Sequence, residues 1–242
     1  MTQLLRAKTS EAVAGYILGQ LFDGSLRSGD RIDLDQVAEA LGVSRVPVRE
    51  GLAQLERDGL VRLPHYRGAF VAAFDADTIR EAFDLYGLLS ALTNRRAAVR
   101  ADPEMLETLS KLDDVLARCQ DVDEFERVAR EFRRVVNVAA AGPHLRALLR
   151  TFNGLVPVAA RFSIAEAMDA ERAALRREFE ALRSGDPDAA AAAALDHLAL
   201  TADNAIRALA RRGVVEEPPG TSTTEPTGPA ELLSLLKARG DD

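Results

Sequence analysis

The chain is expected to be mostly α-helical and built in two unequal parts: short helices closed by one small β-hairpin, then an all-α antiparallel bundle. Three observations lead there. Residues 35–58 read as two short amphipathic helices meeting at Gly42. Two short β-branched or apolar runs follow, flanking Pro64-His65-Tyr66-Arg67-Gly68. From Asp75 to Arg212 helical periodicity continues with no further strand pattern.

The elements are taken in order. Residues 1–7 are expected to be a loose start. Lys8 to about Ser25 reads as a helix, because Val13, Ile17, Leu18 and Leu21 share a face. Ser28-Gly29-Asp30 breaks it. Asp35 to Leu41 places Val37, Ala38 and Leu41 on one side, and Gly42 supplies the backbone freedom of a sharp turn. Ser44 is expected to cap the next helix through its hydroxyl. That helix runs to about Asp58, with Val48, Leu52 and Leu55 inward and Arg45 and Arg49 on one outward face. Leu60–Leu63 and Ala69–Ala73 are the predicted strands of a wing.

Two helices joined by a tight glycine turn, the second opening with polar and basic groups, form the arrangement that enters a DNA major groove. A hairpin tip carrying Arg67 beside Gly68 suits a phosphate or the minor groove. The candidate DNA-facing residues are Ser44, Arg45, Val46, Pro47, Arg49, His65, Arg67 and Gly68.

The later segments break at Asp102-Pro103, Gly142-Pro143 and Gly185-Asp186-Pro187, where proline suits the first turn of a new helix. The apolar faces run Ile79, Phe83, Tyr86, Leu89; Leu106, Leu109, Leu112, Leu116; and Phe125, Val128, Phe132, Val135, Val136. They continue with Leu145, Leu148, Phe152, Leu155; Leu175, Phe179, Leu182; and Leu195, Leu198, Ile206, Leu209. Six or seven such helices make an antiparallel bundle. Ala189–Ala194 permits close helix approach. Residues 216–229 are Pro-, Gly-, Ser-, Thr- and Glu-rich and read as a disordered tail, with ELLSLLK at 231–237 as a short helical or docking segment. The expected domains are therefore 1–74, 75–213 and a tail 214–242.

The 242 residues are 47% apolar, enough for two cores, and carry a net charge of −7. An acidic chain argues weakly against nucleic acid, yet 42–68 holds five arginines against three acids, so a local basic footprint survives. The single cysteine, Cys119, excludes an internal disulfide and suits a reducing cytoplasm. No signal peptide and no membrane-length apolar run is apparent. No Glu-x-x-His pair, phosphate-binding glycine loop or nucleophile motif is present, so no enzymatic activity is expected.

SRVPVREGLAQLERDGLV, followed by RGAFV, resembles the winged helix of the GntR transcriptional regulators over roughly residues 8–74. Val46, Gly51 and Asp58 stand where that family usually has Thr, Ala and Glu. The helical half is similar to the FadR-type (FCD) branch through its architecture and the stretches 139–145 and 185–197. The resemblance implies a homodimer, a palindromic double-stranded DNA operator and a small-molecule effector inside the bundle, most often for a repressor. The alternative is a helical interaction protein whose winged helix contacts protein.

Many members of this branch hold a metal through one Asp and three His. Carried over by position, these fall on Ala129, Arg133, Leu175 and His197, so one ligand of four is present and no metal cofactor is expected. An Arg and a Glu frequent on the first bundle helix appear as Gly87 and Ser90. Arg133 and His197 are then the candidate effector-binding residues, with the guanidinium able to hold a carboxylate directly. Loss of metal ligands suggests an apolar cavity and a fatty acid, acyl-CoA or other hydrophobic carboxylate.

Overall fold

The computed structural model describes residues 2–65 and 67–216, with side chains from residue 9 onward. The proposed tail and its 231–237 segment lie outside the described residues, as does Tyr66.

Helix α1 spans Thr2–Phe22, so the loose start expected for 1–7 is corrected: helical backbone already begins at Thr2. Its buried face is Val13, Ala14, Ile17, Leu18, Leu21 and Phe22. Strand β1 (Arg31–Ile32) was not foreseen, since two residues carry no period of their own. Helix α2 (Leu34–Leu41) opens on Asp33, whose carboxylate accepts from the amides of Asp35 and Gln36. It closes on Gly42 at φ 61°, the left-handed conformation that glycine adopts without strain. Helix α3 (Arg45–Arg57) buries Val48, Leu52 and Leu55 as expected.

Strands β2 (Val61–Arg62) and β3 (Ala69–Val71) form the wing, shorter than the predicted runs. Antiparallel pairing on both sides of β3 sets the order β1-β3-β2, with Arg31 opposite Phe70 and Val61 opposite Val71. The wing is thus the outer part of a three-stranded sheet, not an isolated hairpin, which gives it the support that two strands alone lack.

Among the described residues six helices follow: α4 (Ala76–Arg100), α5 (Pro103–Leu116), α6 (Val122–Ala140), α7 (Pro143–Arg150), α8 (Leu155–Ser184) and α9 (Pro187–Arg211). The three proline breaks fall where expected. Asp75, Asp102, Asp121 and Asp186 cap four of these helices with their carboxylates. Leu148 is corrected: it is 53% exposed, and Leu149 takes the inward position. The α5 seam is Met105, Leu109, Asp113 and Leu116, with Leu106 and Leu112 only half-buried.

Helix α9 packs along both α4 and α8. Small residues set that approach. Ala190, Ala191 and Ala194 are fully buried. A Cβ on Gly87 would lie 3.3 Å from Leu195. Helix α8 is broken at Ala167 (φ −147°, ψ 49°), which divides it into two segments. One apolar core joins α1, α3 and the sheet to α4, α7, the first segment of α8 and α9. A second, led by Phe125, Phe132, Leu175 and Leu182, fills the far end of the bundle.

Candidate DNA-binding and effector sites

Arg45, Val46 and Arg49 are exposed in the first turns of α3, with Ser44 exposed just before them. Ser44 takes the N-cap position with extended backbone, but its side chain makes no capping bond, contrary to expectation. A cap hydroxyl accepts from the second or third helical amide; the third residue here is Pro47, which has no N–H, so the Val46 amide alone is open to such a bond. The Ser44 hydroxyl is left outward at a helix N-terminus, where the backbone favours an anion.

Pro47 itself is buried, so its side chain is not part of the exposed face. Its place is in the packing beneath the first turn. Arg45 is exposed but engaged: its Nε and Nη2 donate to both carboxylate oxygens of Asp35 at 2.5 and 2.6 Å. This pair orients the guanidinium across the turn between α2 and α3. A phosphate or base must share it or displace Asp35.

His65 and Arg67 are exposed on the wing. Gly68 sits at φ 95°, and a Cβ there would come within 3.3 Å of the Arg31 guanidinium. Arg31 is therefore a wing cation that sequence reasoning missed. The signal available was a basic residue two before Asp33, but its strand partner lies 39 positions away in the chain, at Phe70.

The bundle holds a buried polar cluster between α6, α8 and α9. His197 on α9 is fully buried. Its Nε2 lies 2.9 Å from Glu171 Oε2, and its Nδ1 bonds Glu178 Oε1. Two carboxylates on the two ring nitrogens require both nitrogens to donate, which is the imidazolium form. Burial and the charge of Arg133 oppose that form. The two glutamates outweigh them, so His197 titrates above the ordinary histidine range. Burial likewise opposes ionisation of Glu171, but the His197 bond and charge and the Ser163 hydroxyl hold it below the ordinary glutamate range. Thr201 Oγ1 also donates to Glu171, at 3.2 Å.

Arg133 on α6 reaches the edge of this cluster. Its Nη1 is 3.6 Å from Glu178 Oε1 and its Nη2 is 3.5 Å from His197 Nε2. The second contact brings two cations together and is no hydrogen bond, because that ring nitrogen already donates to Glu171. The guanidinium faces a cavity of about 10 Å³, room for about one water molecule. Polar groups of Tyr86, Ser90, Asn94, Asn137 and Glu178 line it with Arg133. Asn94 is 95% buried, donates from Nδ2 to the Ser90 carbonyl at 3.0 Å, and has no partner for Oδ1.

The expectation of an apolar cavity is therefore corrected. Phe132 and Val136 contribute, but the other six lining residues are polar or charged. His197 is corrected as a direct effector contact, since both ring nitrogens are engaged and the residue is enclosed. Ala129 and Leu175 are buried among apolar side chains. The four positions at which the resemblance expects metal ligands thus offer a methyl group, a guanidinium, an isobutyl group and an occupied imidazole, and do not fit a divalent cation. Glu171 and Glu178 were missed in the sequence. They lie four before and three after Leu175, a spacing that puts all three on adjoining helix faces. A larger hollow of about 560 Å³ is an open groove at the base of the wing, beside Glu56, Arg62 and Pro64, far from this chemistry.

Comparison with known proteins accounts for both halves. Residues 9–71 match the model for bacterial regulatory proteins of the gntR family, and residues 81–200 match the FCD domain. An uncharacterized HTH-type transcriptional regulator of Mycobacterium tuberculosis is 37% identical over 213 residues, covering 88% of this chain and 87% of its own length. The gluconate operon transcriptional repressor of Bacillus subtilis is 31% identical over 126 residues, 50% of this chain and 51% of the relative. A probable D-xylose utilization operon transcriptional repressor of Paenarthrobacter nicotinovorans is 26% identical over 203 residues, 81% of this chain and 88% of the relative. The solved structure of E. coli McbR/YncC shares the fold at TM-score 0.59 and 20% identity, covering 85% of this chain and 98% of that one. With a gntR-type helix-turn-helix ahead of an FCD domain, and a relative alike along nearly its whole length, this chain belongs to the GntR family of DNA-binding transcriptional regulators.

Proposed function

We propose that the protein is a cytoplasmic repressor that binds a palindromic operator as a homodimer and is released by a small molecule held in the helical domain. The observation that carries this reading is the exposed arginine pair, Arg45 and Arg49, at the start of α3, with Ser44 and the wing residues His65, Arg67 and Gly68 beside it. Arg49 and Arg45 supply charge to phosphates and forked donors to base edges. Ser44 and the helix N-terminus add short phosphate contacts. Two relatives are named as operon repressors, which supports repression over activation.

The test is selection of genomic fragments by the purified protein, followed by anisotropy titrations of the selected duplex over a salt series. Affinity should fall steeply as salt rises, because each neutralised phosphate releases counterion. Arg49→Ala should lower affinity for the selected site by at least about tenfold, of the order of one lost bidentate contact. Recovery of no preferred fragment would overturn the reading in favour of a protein-binding winged helix.

A further inference from the structure

Resting on the regulator reading for its effect, we propose that residues 231–237, ELLSLLK, dock in the open groove at the base of the wing and set their acidic flanks against the wing arginines, in competition with DNA. The groove, the place where the described chain leaves the fold, and the composition of the residues beyond it each point there.

The groove measures about 560 Å³, with apolar walls that include Val61, Leu63, Pro64 and Ala73. Leu63 is half-buried, and Pro64 and Ala73 are exposed. Two charged residues stand beside them, Glu56 and Arg62. Glu56 crosses from α3 to the wing, its Oε1 accepting from the Leu63 amide at 3.0 Å. Arg62 is exposed and stands opposite Phe70 on one side, while Arg31, also exposed, stands opposite the same Phe70 on the other. Facing residues share a side of a sheet, so both guanidiniums emerge on its outer face while Ile32, Val61, Ala69 and Val71 pack inward.

Charge and reach identify the occupant. In 217–242 the large apolar residues are Leu232, Leu233, Leu235 and Leu236. Their spacing sets Leu232, Leu235 and Leu236 on one face of a helix, the anchors of a helix laid in a groove. Glu231 and Lys237 bracket them with charges opposite to those of Arg62 and Glu56. Residues 217–242 carry five acids against two bases, so docking brings net negative charge beside Arg62 and Arg31. These residues lie outside the described ones, but the chain leading to them does not. Val215 is buried, and Val214 lies 3.5 Å from where a Cβ on Gly24 would stand. Gly24 comes two residues after Phe22, whose ring packs on Phe74 at 5.3 Å, and Phe74 follows Ala73 of the groove. The fourteen residues 217–230 reach ~45 Å when extended, more than that path requires. A tether gives an effective concentration of the order of millimolar, so a segment with a Kd of ~0.1 mM is docked about nine-tenths of the time. DNA that needs the undocked form then binds about tenfold more weakly than it otherwise would.

The experiment uses the full chain carrying Ala73→Cys and Leu233→Cys, with the buried Cys119 left in place. Diamide should join the two new cysteines within one chain, read by intact mass and peptide mapping, and the selected duplex should slow the joining. Leu232→Ser with Leu236→Ser should slow it tenfold or more. Without the added cysteines, the same serine pair should tighten DNA binding about tenfold at low salt. That gain should shrink as salt rises, because exposed charges are screened. The proposal is overturned if the link forms as fast in the serine pair, if it joins only separate copies, or if the serine pair binds the duplex no tighter than wild type. A leucine-dependent link in a chain that selects no DNA supports the docking and overturns the regulator reading alone. Salt-sensitive DNA selection with no such link overturns the docking alone.

Discussion

His197 carries its charge against two opposing influences, its own burial and the neighbouring Arg133, and keeps it because Glu171 and Glu178 grip both ring nitrogens. The consequence for stability has a definite sign. His197 has a raised pKa in the folded chain. Its contribution is full below about 6.5, the ordinary histidine value, and is lost as pH rises through the folded value. Glu171 has a lowered pKa, so its contribution is full above the ordinary glutamate value and is lost as pH falls through its folded one. The groups facing the ring are Glu171 and Glu178 from α8 and Arg133 from α6. Stability should therefore peak between these two limbs. His197→Ala should cost about 3–5 kcal/mol near neutrality, since it leaves buried carboxylates facing each other without their cation. It should also flatten the alkaline limb. Urea unfolding of both proteins from pH 5 to 9 checks this, and an unchanged alkaline slope in the variant would remove His197 from the account.

At the scale of elements, the close approach of α1 to α3 depends on one missing side chain. A Cβ on Gly51 would meet Val13 Cγ1 at 2.8 Å and the Ser10 carbonyl oxygen at 2.9 Å. The second obstacle is backbone and does not swing aside. Alanine at this position would gain about 1 kcal/mol in helix propensity. Overpacking a tight contact costs about 1–3 kcal/mol. Because the helix gain is the smaller, Gly51→Ala should lower the melting temperature. A melting temperature equal to or above wild type would mean that α1 shifts without cost. The same accounting explains why α4 and α9 lie so close: Gly87, Ala91, Ala191 and Ala194 remove the side chains that would hold them apart.

For the whole molecule, the two halves share a core instead of meeting at a linker. Phe22 of α1 is fully buried, with its ring centroid 5.3 Å from Phe74 and 5.4 Å from Phe162 of α8. Arg212, just after α9, stacks its guanidinium over Phe162 at 4.5 Å. The C-cap of α3, Asp58, lies against Gly154 at the start of α8, so α3 abuts the helix that also carries Glu171 and Glu178. Phe22→Ala should cost about 3–5 kcal/mol. Because one core spans α1, the sheet and part of the bundle, it should shift one cooperative transition for the entire chain. Calorimetry resolving two transitions, only one of them moved, would show that the halves unfold independently.

Most helix boundaries were legible because their signals are local. Asp102-Pro103, Gly142-Pro143 and Asp186-Pro187 act through dihedral limits and caps within a few residues of themselves, and Gly42 does the same for the turn before α3. The exposed arginines of α3 were legible for a similar reason, since helical spacing alone sets them opposite Val48, Leu52 and Leu55. Tertiary structure alone decided that Arg31–Ile32 pairs with β3, that Asp35 holds Arg45, and that Leu149 packs inward where Leu148 was expected. It also decided that Glu171, Glu178, Arg133 and His197 meet, from three different helices, in the place where the resemblance put metal ligands. The physical reason is range: capping and periodicity act over one or two turns of chain, whereas burial, ion pairing and strand pairing depend on which distant segments the packed bundle brings within a few ångströms.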